Sequence, residues 1–91
     1  PIYGKSPDFD IERRHRFPIG SIEVRLKVQS GKITDAKIYG DFFGLGEIKD
    51  VEDALIGTRY ERDDLAKVVD TIDMKKYFGA IEAHEFLDLL I

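Results

Sequence analysis

Between Gly40 and Gly46 the chain changes its hydrophobic period, and that one switch limits the folds open to it. Before it, apolar side chains recur every second residue; after it, every third or fourth. In Asp8 to Phe17, DFDIERRHRF, the residues Phe9, Ile11, Arg13, His15 and Phe17 share one face, with Asp10, Glu12, Arg14 and Arg16 on the other. After a turn at PIG, 18–20, Ser21 to Gln29 alternates cleanly. Ile22, Val24, Leu26 and Val28 point inward; Glu23, Arg25, Lys27 and Gln29 point outward. A third strand runs from Lys32 to about Phe42.

The hairpin between these last two strands has two possible phases. A two-residue turn at Ser30–Gly31 sets Leu26 against Asp35 and Val24 against Lys37, which brings charge onto the core face. A three-residue loop, Gln29–Gly31, with Gly31 left-handed in a bulge, sets Leu26 against Thr34, Val24 against Ala36 and Ile22 against Ile38. The second register, with positive φ at Gly31, keeps the faces consistent.

Beyond Gly46, Ile48, Val51 and Leu55 form a helical stripe that stops at Gly57. Leu65, Val68, Val69 and Ile72 form another. Asp73 to Phe78 reads as a short turn ended by Gly79, and Ala83, Phe86, Leu87 and Leu90 place a last helix over Glu82 to Ile91. Strands first and helices afterwards predict an α+β, two-layer sandwich. Its three-stranded antiparallel sheet, order 1-2-3, is followed by about three helices packed on one face. The other face carries Glu12, Arg14, Arg16, Glu23, Arg25, Lys27, Lys37 and Tyr39, and is either wet or covered by another domain. Residues 1–8, with Pro1, Gly4, Ser6 and Pro7, read as a lead-in or interdomain linker, and 9–91 as a single small domain.

Ninety-one residues support one core and bury only about 60–65% of the unfolded surface, which leaves little room for a deep active site. The chain has no cysteine, so disulfides, thiol nucleophiles and Cys-ligated metals are excluded. Fourteen basic against 18 acidic side chains give a net charge of −4, which argues against a dedicated nucleic-acid binder. No apolar run is long enough to span a bilayer, and PIYGKSPDF lacks the pattern of a signal peptide. The start without methionine suggests a piece of something longer.

KIYGDFFGLGEI, Lys37 to Ile48, has three glycines after a strand and before a helix, the setting of a phosphate cradle. The spacing fails. Gly40 is followed five places on by Leu45, no Gly-Lys-Ser/Thr follows these glycines (the one in the chain, Gly4 to Ser6, lies ahead of the strands), and Lys49 stands where a dinucleotide fingerprint needs its third glycine. DFFG resembles the kinase DFG by three letters without the rest of that machinery. The glycines instead let the backbone leave the sheet. Phe42 is in phase with the core face; Phe43 is out of phase, and either exposure or contact with a partner domain accounts for it.

His15 and His84 are the only histidines. Neither has the carboxylate or histidine spacing of a metal site, so His15 is read as a core-margin residue and His84 as part of the last helix's polar side. In RRHR, 13–16, Arg14 and Arg16 are placed to pair with Glu23 across the strands. Arg13 and His15, on the nominally apolar face, either protect an edge or contact another domain. Asp63 and Asp64 suit a helix start. The residues present no catalytic, cofactor or metal constellation.

YGKSPDFDIERRHRFPIGSIEVRLKVQSGKITDAKIYGDFFG resembles the C-terminal accessory domain of bacterial lipoate–protein ligase A. The likeness continues through EDALIGTRYERDDLAKVV, IDMKKYFG and EFLDLL, nearly the whole chain. Such ligases activate lipoate with ATP and Mg²⁺ to lipoyl-AMP. They then transfer the lipoyl group to a lysine of lipoyl domains or of the glycine-cleavage H protein. The resemblance implies a cytoplasmic parent, with catalytic and cofactor residues in a large N-terminal domain, and a small domain that acts as a mobile lid. Tyr3, Gly4, Lys5, Ser6 and Pro7 match the interdomain hinge; Phe42, Phe43 and Gly44 match a turn toward the large domain, with Arg13 and His15 as further candidate contacts. No catalytic, cofactor or metal residue is carried over, and neither nucleic acid nor membrane is implied as a partner. Glu82 stands where a Thr helix cap is frequent, which weakens that cap. The fold is similar to that of iron–sulfur assembly proteins of the sulfur-transfer type, an activity that the lack of cysteine removes. The alternatives are an autonomous protein-interaction module using the charged sheet face, or a small enzyme in its own right, which the missing constellation disfavours.

Overall fold

The computed structural model describes residues 9–18, 20–41 and 46–91; the hinge Tyr3 to Pro7 and the turn residues Phe42, Phe43 and Gly44 lie outside the described residues. Strands β1 (Ile11–Phe17), β2 (Gly20–Gln29) and β3 (Lys32–Gly40) form one antiparallel sheet in the order β1-β2-β3. Helices α1 (Ile48–Leu55), α2 (Arg62–Asp70), α3 (Met74–Phe78) and α4 (Ala83–Leu90) follow. This is the α+β sandwich that the change of period predicts, with one helix more than the three stripes suggest. The extra one, α3, replaces the turn read over 73–78. Asp73 starts it by accepting from the Lys76 N–H at 3.3 Å, and Gly79 at φ 68° stops it.

The core lies between the sheet and the helices. Ile22, Val24 and Leu26 of β2 are fully buried and meet Leu55 of α1, Leu65 of α2, and Phe78 and Phe86, whose rings lie 4.8 Å apart. α1 packs under β3 and α4 under β1, with α2 against α4. The helices thus line up beneath the edges of a sheet whose opposite face carries the charged residues.

The β2–β3 register differs from the expected three-residue loop. Ser30 at φ 52° and Gly31 at φ 77° are both left-handed, so the turn has two residues, with Gln29 opposite Lys32 and Val28 opposite Ile33. The positive φ at Gly31 is as expected. A bulge then skips Thr34 and shifts the pairing, so that Leu26 faces Ala36, Val24 faces Ile38 and Ile22 faces Gly40. The conflict between a short turn and a consistent apolar face is thus resolved two pairs beyond the turn.

The outer edge of β3 is closed by the chain's own residues. The Gly57 N–H donates to the Ile33 carbonyl at 2.7 Å, the Ile33 N–H to the Thr58 carbonyl at 2.9 Å, and the Tyr60 N–H to the Gly31 carbonyl at 2.8 Å. Farther along, the Ile38 N–H donates at 2.8 Å to the carboxylate of Glu52, the one buried charged residue among those described. α1 therefore does two jobs, filling the core with Val51 and Leu55 and satisfying a strand edge with Glu52.

The C-terminal carbonyls of α4 have no partners within the helix, and two distant side chains take them up. Arg13 of β1 donates from Nε to the Leu89 carbonyl at 2.7 Å and from Nη2 to the Asp88 carbonyl at 3.0 Å. The Tyr60 hydroxyl donates to the Leu90 carbonyl at 2.7 Å. A cation at that end also complements the helix dipole. At the other end of α4, the Glu82 N–H donates to the Glu85 carboxylate at 2.9 Å, which supports the start that Glu82 was expected to weaken.

Glu52→Ala leaves the buried Ile38 N–H without an acceptor and is expected to cost about 1–3 kcal/mol in urea unfolding. Burial raises the Tyr60 hydroxyl above its usual 10.0, with the nearby Arg13 opposing. A folded-state value above the unfolded one means that the stabilisation is complete below the unfolded value and is lost as pH rises through the folded one. Tyr60→Phe is therefore expected to cost about 0.5–1.5 kcal/mol at neutral pH. The gap to wild type should close in strongly alkaline solution, as read from denaturation midpoints across pH.

Candidate functional site

A groove of about 530 Å³ runs between β1 and α4. Arg13, His15 and Phe17 line one wall, and His84, Glu85 and Asp88 the other. Two of the candidate contact residues, Arg13 and His15, thus lie in one groove, for a reason that strand geometry makes plain: both are on the core-side face of β1, opposite Val24 and Ile22. At an edge strand that face runs out past the core, so His15 is exposed and rests edge-on against the buried Phe17 ring at 4.6 Å. It is a wall of the groove, not a core-margin residue.

Both histidines of the chain line this groove, a pairing that 68 intervening residues conceal in the sequence. The exposed His84 lies near Asp88, whose carboxyl is held below its usual range chiefly by a hydrogen bond from the Arg62 guanidinium. His84 and Arg13 add to that effect through space. The stabilisation from this pairing is present above the unfolded carboxyl value and is lost as pH falls through the lowered one. Among the described residues no Ser, Thr or Cys nucleophile lines the groove, and no three His, Asp or Glu converge as metal ligands do. Its chemistry is that of charge and hydrogen bonding, suited to holding a surface.

Just beyond the undescribed turn, Gly46 lies so close to Tyr77 that a Cβ there would fall 2.3 Å from the ring. The Gly46 N–H donates to the Lys76 carbonyl at 3.0 Å, and the Tyr77 hydroxyl donates to Asp50 at 3.0 Å. That hydrogen bond is the main cause raising the Tyr77 hydroxyl above its ordinary value. The glycine reads in sequence as a loop exit, and the structure adds that only glycine fits against this ring.

On the outer sheet face, Arg14 does stand opposite Glu23, and Arg16 stands opposite Ser21. The carboxylate of Glu23 turns instead to Arg25, its neighbour on the same strand face, at 2.5 Å. Arg25 also lies over the Tyr39 ring, 5.3 Å from its centre.

The family described as bacterial lipoate protein ligase C-terminus matches residues 6–90. Lipoate-protein ligase LplJ of Bacillus subtilis is 47% identical over 88 residues, which cover 97% of this chain and 27% of that protein. Lipoate–protein ligase 2 of Staphylococcus aureus is 39% identical over 89 residues, covering 98% of this chain and 26% of the relative. The chain thus spans about a quarter of the length of the curated relatives it matches. The crystal structure of P. falciparum LipL1 in complex with lipoate shares the fold at a TM-score of 0.59 and 22% identity, over 94% of this chain and 24% of that one. The sequence agrees over nearly the whole length, and the chain belongs to the bacterial lipoate protein ligase C-terminus family.

Proposed function

We propose that this chain is the non-catalytic C-terminal accessory domain of a lipoate–protein ligase. In this reading the parent activates lipoate with ATP and Mg²⁺ to lipoyl-AMP and transfers the lipoyl group to a lysine of an acceptor, either a lipoyl domain or an H protein. The large N-terminal part holds the nucleotide and lipoate, and the accessory domain supports adenylation and gates access by the acceptor. The observation that carries the reading is the match over residues 6–90 to a family of ligase C-termini, in relatives nearly four times as long. The described residues fit a supporting role, since those that line the groove between β1 and α4 offer charge and no nucleophile.

Residues 1–8 serve as the interdomain linker, with Tyr3, Gly4, Lys5, Ser6 and Pro7 as its hinge. Phe42, Phe43 and Gly44 form the turn toward the large part, and His15 extends that contact along the groove wall. Arg13 contributes indirectly, since its guanidinium is taken by α4. Among the described residues no helix is long and apolar enough to cross a membrane, and the parent works in the cytoplasm.

The test is a lipoylation assay with the large N-terminal domain, an unmodified acceptor, ATP and lipoate, with and without this chain added in trans. Adenylate formation and transfer are followed separately. The chain should accelerate at least one step, and Phe43→Ala should lose the gain. A full ligase that performs both steps at undiminished rate after deletion of this chain would refute the proposal.

A further inference from the structure

The charges of this chain are segregated by layer. Residues 9–41 carry seven basic and five acidic side chains, whereas residues 46–91 carry six basic and twelve acidic. A protein of net charge −4 therefore has a sheet layer of the opposite sign. The strand register concentrates that positive charge on the sheet face away from the helices. Arg14, Arg16, Arg25, Lys27 and Lys37 all lie there, around Tyr39. Glu12, Glu23 and Asp35 share the face and Asp41 lines it beside Tyr39, and of these Glu23 is already held by Arg25. Tyr39 is 49% exposed, one of only two large apolar side chains so exposed among the described residues.

We infer that this face is a docking surface for an acidic protein surface, and that its occupant is the acceptor which receives the lipoyl group. The inference rests on the ligase reading above. Charge complementarity selects an acidic partner, because a basic or neutral one leaves this cluster desolvated without compensation. The character of the face selects a transient partner. Permanent interfaces have apolar centres depleted of charge, whereas this face has a single tyrosine set among arginines and lysines. An enzyme that modifies its acceptor must also release it. A screened, charge-steered contact gives fast encounter without a slow release, and Tyr39 with Arg25 stacked on it offers the kind of anchor that such contacts use.

The test uses the full ligase with Arg16→Glu and Lys37→Glu together. These positions are chosen so that the fold survives: Lys37 lies opposite Arg25, where a new carboxylate gains a partner, and Arg16 lies opposite Ser21. The acceptor is an unmodified lipoyl domain with an acidic surface. The double variant should raise the KM for that acceptor on the order of tenfold at low salt. Rates of lipoyl-AMP formation, and the KM values for ATP and lipoate, should not change. Added salt should narrow the difference between variant and wild type, reversing acidic residues on the acceptor to lysine should restore the KM, and Lys67→Glu on α2 should have no effect. An unchanged acceptor KM overturns the inference. So does a fall in adenylation equal to the fall in transfer, which would assign the face to the ligase's own large part. A wild-type ligase that transfers no lipoyl group to any acceptor overturns the functional reading and this inference with it.

Discussion

The structure depends on how α4 ends. A helix packed beneath the edge of a sheet terminates against protein, and its last carbonyls need donors that the helix does not supply. Arg13 reaches down from β1 and takes two of them, and Tyr60, from the connection between α1 and α2, takes a third. The arrangement ties together the first strand, the last helix and the segment that closes the far edge of the sheet. It also explains an arginine on the core-side face of a strand. The alternation that places Arg13 with Ile11 and Phe17 puts its guanidinium within reach of the last carbonyls of α4, where a cation is wanted.

The groove is a consequence of that closure. With Arg13 drawn to α4, the next inward position on β1 is His15, which stays exposed between Arg13 and the buried Phe17 and shares the groove with His84 and Asp88. The two sheet edges are thus finished differently. At β3, backbone bonds from 57–60 and the Glu52 carboxylate cover the strand; at β1, the side-chain clamp holds a helix beneath the strand and leaves a polar cleft beside it.

Much of this was legible in the sequence, because periodicity is local. The strand faces of 22–28, the stripes at 48, 51 and 55 and at 65, 68, 69 and 72, and the left-handed Gly31 follow from neighbouring residues alone. The bulge at Thr34 was not legible, since a two-residue turn followed by a skip and a three-residue loop both keep apolar residues inward. Glu52 left a faint trace: it is four residues beyond Ile48 on the α1 stripe, a place where a carboxylate needs a buried donor. Arg13 left none, because its acceptors lie 75 and 76 residues away and are backbone atoms that no side-chain pattern encodes. The same holds for the two histidines, which only the packing of α4 under β1 brings to one groove.

What remains for such a domain to do follows from its size. One core uses the inner face of the sheet and the inner stripes of the helices, and the buried polar groups are committed to edges and helix ends. A pocket deep enough to exclude water around a reacting group would have to be taken from that core, at the cost of stability that a small domain lacks. Surfaces are free of that constraint. The groove beside β1 and the basic outer face are both available without loss of packing, and they differ in kind. The groove mixes cations and carboxylates against Phe17, while the outer face is predominantly cationic around one aromatic ring. A sheet covered on one side only, with its open edge next to its open face, supplies both from the same three strands.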